Sequence, residues 1–301
     1  MEVTEKIKKL QKERNALILA HFYQPGEVQD IADVVGDSLE LAKAARDAEN
    51  DVIVFCGVRF MAETAKILNP DKTVLLPAID AGCPMADMIT AEEVMRLKEE
   101  NPNAAVLCYV NSDIEVKAVS DICATSSNAV KIAQSLKEEE IIFVPDQCLG
   151  GYVAQFLPEK KFILPKGFCP THMKITVADI KAARAAKPNA RLLVHPECAP
   201  EVVKLADFAG STAQIIKEAV NSSHKEFLIG TEEGILHRLV KLCPDKKFYN
   251  IGRSQTCPNM KKTNIDLVLN ALEKMEHEIK VKEDLAKKAV KSLERMFSVP
   301  L

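Results

Sequence analysis

Several things are scarce in this 301-residue chain. It has no tryptophan, only four tyrosines, and aromatic residues make up 5% of it. Charge of one sign is missing too. Lys+Arg number 40 and Asp+Glu 43, for a net charge of −3, and the two signs are interspersed. No basic patch or basic–aromatic run points to nucleic acid. No apolar run approaches the roughly 18 residues needed to span a membrane. The first fifteen residues, MEVTEKIKKLQKERN, read as a charged amphipathic helix without the apolar region or cleavage site of a signal peptide. Cytoplasmic residence is the expectation. Flexible linker composition is absent, and 47% hydrophobic content excludes disorder. Nine cysteines, an odd number without an export signal, argue against a disulfide framework and favour metal binding or catalysis for any special cysteine.

What the chain does have is a long internal repeat. NALILAH, NAAVLCY and NARLLVH open at Asn15, Asn103 and Asn189, 88 and 86 residues apart. Six positions on come His21, Tyr109 and His195, and two further Tyr23, Asn111 and Glu197. Asp33, Asp121 and Asp207 share one offset, as do the hydroxyls Ser38, Ser126 and Thr212. Each unit then carries one cysteine–proline pair: Cys83-Pro84, Cys169-Pro170 and Cys257-Pro258. Such a period is too long for a solenoid and suits three small α/β units.

Short apolar runs such as DVIVFCG, AVLCYV, EIIFVP and EFLIG, flanked by Pro, Gly, Asp or Asn, read as buried strands. Helical patterns lie between them, among them EVQDIADVV, SLELAKAARDA and VADIKAARAAK. Strands alternating with helices predict parallel sheets covered on both faces. The expected fold is α/β: three pseudo-symmetric three-layer αβα units with parallel sheets around a central active site. The expected divisions are 1–101, 102–187, and 188–301 with its C-terminal helices, which should close the surface.

Ligands of parallel α/β sheets bind beyond the carboxyl ends of the strands, where His21, Tyr109 and His195 fall. Ser38, Ser126 and Thr212 fall where helices begin, each able to cap its helix or hold an anion. Together they suggest a small substrate with several carboxylates or a phosphate. Tyr23, Tyr109, His195 and Glu197 form a set able to donate and accept protons. If the three units share a centre, Cys83, Cys169 and Cys257 converge there, one thiolate short of the four that hold an electron-transfer cluster. An iron–sulfur cluster with an open iron is one outcome. A zinc site of three thiolates and His172 is the competing one, and Cys198 is the rival third ligand. His224, His237 and His277 sit on charged stretches and read as ordinary.

The ordered motifs AHFYQ, GDS, GCPM, YVNS, TSSNAV, GFCPTH, HPEC, GST and TCPNMKK resemble those of the quinolinate synthase family, from about Lys6 to the end. The resemblance implies a [4Fe–4S] cluster held by Cys83, Cys169 and Cys257. It implies an iron–sulfur-dependent transferase that condenses iminoaspartate with dihydroxyacetone phosphate, losing phosphate and water, to give quinolinate for NAD biosynthesis. The carried-over substrate contacts are His21, Ser38, Tyr109, Asn111, Ser126, His195, Glu197 and Thr212, with Tyr23 and His172 beside them. It further implies small-molecule partners and coupling to an enzyme that supplies iminoaspartate. Alternatives are a three-cysteine cluster hydro-lyase acting on a dicarboxylate, or a non-enzymatic zinc-stabilised binding protein. Phe22 stands where members often carry asparagine, and Pro258-Asn259-Met260 offers no second cysteine after Cys257 for a regulatory disulfide.

Overall fold

The computed structural model describes residues 2–252 and 255–300. It contains three four-stranded parallel sheets. The first has β1 (Ala16–His21), β2 (Val34–Gly36), β3 (Val52–Cys56) and β4 (Thr73–Leu75). The second has β5 (Ala105–Tyr109), β6 (Ile122–Ala124), β7 (Glu140–Val144) and β8 (Lys161–Ile163). The third has β9 (Arg191–Val194), β10 (Phe208–Ala209), β11 (Glu226–Gly230) and β12 (Lys247–Asn250). All three share one order, β2-β1-β3-β4, β6-β5-β7-β8 and β10-β9-β11-β12. The inner strands are mostly apolar because helices cover both faces; every residue of β3 and β5 is buried.

Helices alternate with the strands. The first sheet is laced with α1 (Val3–Glu13), α2 (Gly26–Ile31), α3 (Ser38–Arg46) and α4 (Arg59–Leu68). Then come α5 (Ala91–Glu100), α6 (Ile114–Ala118), α7 (Ala129–Ser135), α8 (Gln147–Ala154), α9 (Val177–Ala186), α10 (Pro200–Val203), α11 (Thr212–Asn221) and α12 (Ile235–Leu242). The chain ends in α13 (Ile265–Lys274) and α14 (Glu283–Ser298). Among the described residues, no helix is long and apolar enough to cross a membrane.

Three features differ from the sequence expectation. Ala32–Val35, read within a helical stretch, leaves the helix: α2 stops at Ile31 and β2 begins at Val34. The short strands β2, β6 and β10, three residues at most, carry too little periodicity to be read. They explain the repeat's spacing, because each runs from the shared aspartate to the shared hydroxyl. That aspartate binds the central strand. Asp33 Oδ2 accepts the N–H of Ile18 at 2.8 Å, Asp121 Oδ2 that of Val106 at 2.7 Å, and Asp207 Oδ2 that of Leu192 at 2.7 Å. A residue on the preceding helix meets each one: Gln11 (2.6 Å), Lys98 (3.8 Å) and Arg184 (3.0 Å).

Secondly, α5 and α9 pack with the sheet that follows them. Val94 of α5 joins the core of the second sheet and Ile180 of α9 that of the third. Both helices begin with a capping box, at Thr90 and Thr176. Packing thus groups each of these two helices with the sheet that follows it. Thirdly, the C-terminal helices cover the first two sheets, not the third. Val268, Ala271 and Leu272 of α13 enter the core around β1 and β3, while Ala289, Leu293 and Met296 of α14 enter the core around β5 and β7.

Candidate active site at the carboxyl ends of three sheets

In an order such as β2-β1-β3-β4 the chain leaves the central strand in opposite directions, which opens a crevice beyond the carboxyl ends of the inner strands. β1 ends at His21, β5 at Tyr109, and His195 follows β9 directly. A cavity of about 160 Å³ lies there, and all thirteen residues singled out from sequence line it. The first repeat supplies His21, Tyr23, Ser38 and Cys83; the second Tyr109, Asn111, Ser126, Cys169 and His172; the third His195, Glu197, Thr212 and Cys257. Sequence reasoning missed the apolar wall of Val58, Phe60, Met61, Met85 and Met260. These look like ordinary core residues in the chain, and they lower the local dielectric.

The two histidines are held alike. The N–H of Tyr23 donates to His21 Nδ1 at 3.1 Å, and the N–H of Glu197 donates to His195 Nδ1 at 3.2 Å. A nitrogen that accepts carries no proton, so each neutral imidazole holds its hydrogen on Nε2. Burial lowers both pKa values to about 3, against the pull of Glu197. At neutral pH both rings therefore present Nε2–H donors; His195 Nε2 lies 3.2 Å from Ser126 Oγ.

Glu197 is the carboxylate set among the cavity's histidines and tyrosines. Burial opposes its ionisation, but His172, His195 and the Tyr109 hydroxyl outweigh this and hold its carboxyl far below the ordinary value. Tyr109 donates to Oε1 at 2.6 Å, and His172 Nδ1 lies 2.8 Å from Oε2. His172 Nε2 lies 2.9 Å from Thr231 Oγ1, which lies 2.6 Å from the Tyr23 hydroxyl; Thr212 Oγ1 donates to that hydroxyl at 3.0 Å. Thr212, Tyr23, Thr231, His172 and Glu197 thus form one continuous line of short polar contacts. Burial and the Glu197 charge raise both Tyr23 and Tyr109 well above the ordinary phenol, so both keep their protons. Asn111 lines this space, and its Oδ1 is buried with no partner.

The shared hydroxyls are not the helix caps. Asp37 caps α3 by accepting from the N–H groups of Leu39 and Glu40, and Ser211 caps α11 by accepting from Gln214. Ser38 and Thr212, one position later, are released from capping, and Ser126 precedes α7 by three residues. The caps Asp37 and Ser211 meet at Ser127 instead. Ser127 Oγ donates to Asp37 Oδ2 at 2.5 Å and lies 2.7 Å from Ser211 Oγ, which joins all three repeats beside the cavity.

The cysteine loops are anchored by one repeated bond. The N–H groups of Arg59, Gln147 and Glu233 donate to the carbonyls of Ala81, Gly167 and Gln255, at 2.8, 2.8 and 3.2 Å, each two residues before its cysteine. Burial pushes the Cys83 thiol up to about 12 and the Cys169 and Cys257 thiols upward, while backbone N–H groups just after each sulfur pull the other way. Three soft donors in one cavity, met by backbone N–H groups, suit an iron–sulfur cluster. Cys169, His172 and Glu197 also place one donor atom each within 4.8 Å of one another, the beginnings of a zinc-type set. Cys198 does not line the cavity; it is fully buried, with its thiol on the Gly230 carbonyl. His224, His237 and His277 bind Ser222, Asp30 and the Pro77 carbonyl, away from the cavity.

Residues 5–298 match the family model described as quinolinate synthetase A protein. A quinolinate synthase of Caldicellulosiruptor bescii is 54% identical over 293 residues, which cover 97% of each chain. One of Clostridium kluyveri is 53% identical, covering 99% of this chain and 98% of the relative. Quinolinate synthase 2 of Methanosarcina acetivorans is 52% identical, covering 99% and 96%.

Proposed function

The chain belongs to the quinolinate synthase family of NAD biosynthesis, and from that premise we propose how this cavity works and what it holds. The protein is an iron–sulfur-dependent transferase of the cytoplasm. It condenses iminoaspartate with dihydroxyacetone phosphate to form quinolinate, phosphate and water. The observation that carries the reading is the gathering of three repeat-related cysteines and ten repeat-borne polar residues in one cavity.

When bound on Cys83, Cys169 and Cys257, a [4Fe–4S] cluster supplies an open iron that can polarise a substrate oxygen as a Lewis acid. The chain's own residues do the rest. The Nε2–H groups of His21 and His195 and the hydroxyls of Ser38, Ser126 and Thr212 hold carboxylates and phosphate without adding charge. Asn111 Oδ1 accepts from a substrate N–H or O–H. Glu197, ionised and braced by Tyr109 and His172, takes a proton from substrate. Tyr23 and Tyr109, kept protonated, give one. The apolar wall excludes water, which strengthens each of these contacts.

The experiment is anaerobic purification followed by iron, sulfide and zinc determination and an assay with both substrates. The close approach of Cys169, His172 and Glu197 favours zinc as the second reading. Colourless protein with zinc would support it, and brown protein that forms quinolinate supports the first.

A further inference from the structure

Glu232 follows β11, and its side chain is completely shielded from solvent. It is the one acid of the cavity rim that grips a cysteine loop. Oε1 accepts the N–H of Cys257 at 3.1 Å, and Oε2 accepts the N–H of Gly234 at 2.7 Å. Lys261 Nζ lies 2.8 Å from Oε1 and 3.1 Å from Oε2, and donates a further bond of 2.5 Å to the Tyr23 carbonyl. The Lys261 N–H returns to the Cys257 carbonyl at 3.3 Å. One buried ion pair thus joins the third cysteine loop to the backbone that carries Tyr23.

The other two repeats lack this link. The equivalent residues are Val58 and Asp146; Asp146 Oδ1 accepts only from Cys148 and Leu149 of its own helix. In those repeats short 3-10 helices at Ala86–Met88 and His172–Lys174 follow Cys83 and Cys169. Cys257 is followed by turns alone. All three loops close on the cysteine carbonyl, from Asp87, Met173 and Lys261 at 3.2, 3.0 and 3.3 Å, but only in the third loop does a buried carboxylate accept the cysteine N–H.

We propose that Glu232, paired with Lys261, is a positioning residue for the third metal ligand. It fixes the Cys257 backbone and makes that loop and the Tyr23 backbone move as one. Partners that orient a ligand typically change metal affinity about 10–100-fold when removed. Glu232→Gln keeps the shape, but its amide nitrogen must face Lys261 and either the Cys257 N–H or the Gly234 N–H, donor against donor.

This rests on the reading of Cys257 as a cluster ligand, and the test separates the two. The full-length protein is loaded anaerobically, and iron release to an excess of chelator is timed. Glu232→Gln and Lys261→Met should each release iron about 10–100-fold faster than the unmodified chain. Glu233→Gln, which changes the neighbouring acid bonded to Thr256, should not. Melting of the cluster-free proteins is followed in parallel, and Lys261→Met, at the more open end of the pair, serves if Glu232→Gln fails to fold. Equal release from Glu232→Gln, Lys261→Met and Glu233→Gln would overturn the proposal. So would a lower melting temperature with unchanged iron release, which would make the pair structural only. An unmodified chain that takes up no cluster would instead defeat the cluster itself.

Discussion

The two ends of the parallel sheets treat the same repeat differently. At the amino ends, Asp33, Asp121 and Asp207 do one job three times: each carboxylate accepts a central-strand N–H within 2.7–2.8 Å. At the carboxyl ends the same repeat diverges. Two positions carry histidines locked by a backbone N–H, and the third carries Tyr109, which donates to Glu197. Repetition at one end maintains the scaffold. Variation at the other turns a pseudo-symmetric frame into an asymmetric site, where Glu197 meets tyrosine and histidine.

The contrast breaks most visibly at Glu197. Glu197→Gln keeps the shape and removes the proton acceptor. With the cluster content unchanged, kcat should fall about 10²–10⁴-fold, the usual contribution of an acid–base group. Near-normal turnover would make the carboxylate structural.

Acidity tests the same end through stability. His21 and His195 have folded pKa values of about 3, below their ordinary unfolded value of about 6.5. Between those values the unfolded chain binds more protons. Their stability is therefore complete above pH 6.5 and is lost as pH falls toward 3. From pH 7 to 5, denaturant unfolding of the cluster-free protein should register a loss of about 2 kcal/mol for each histidine. Glu197, with its depressed pKa, adds to the loss at lower pH. A pH-independent stability over that range would contradict the buried neutral rings.

The amino ends should answer the other way. Asp207→Ala should lower unfolding stability by about 1–2 kcal/mol, because it leaves the Leu192 N–H unpaired and part-buried. KM and kcat of the folded fraction should stay unchanged; a rate effect equal to that of Glu197→Gln would erase the distinction between the ends. Thr231→Val should have the smallest effect. Losing one hydrogen-bonded link, worth about 1 kcal/mol, should reduce kcat about fivefold with KM nearly constant. An unchanged kcat would show that the chain from Tyr23 to His172 plays no part.

The sequence and the structure agree where chemistry is repeated. The period brought out His21, Tyr109, His195 and the three cysteine–proline pairs, because equivalent loops of three like units must meet. Features that occur once had no such signal. Thr231 and the Glu232–Lys261 pair have no counterparts in the other repeats, and only folding brings Tyr23 within 2.6 Å of Thr231, 208 residues away. The hydroxyls marked the right segments, yet which neighbour caps the helix is decided by one residue of register: Asp37 and Ser211 cap, while Ser38 and Thr212 face the cavity. The C-terminal helices were readable as helices, but an amphipathic face does not say which sheet it covers.

The central claim is that three related cysteines build one reactive centre in this cavity. The most direct measurement is iron and sulfide content, with quinolinate formation from iminoaspartate and dihydroxyacetone phosphate, for the anaerobically purified chain and for Cys83→Ala, Cys169→Ala, Cys257→Ala and Cys198→Ala. The account predicts about four iron and four sulfide per chain with product formed in the unmodified protein and in Cys198→Ala, and loss of the intact cluster and the product in the other three. A colourless zinc protein, or full iron in Cys257→Ala with loss in Cys198→Ala, would contradict it.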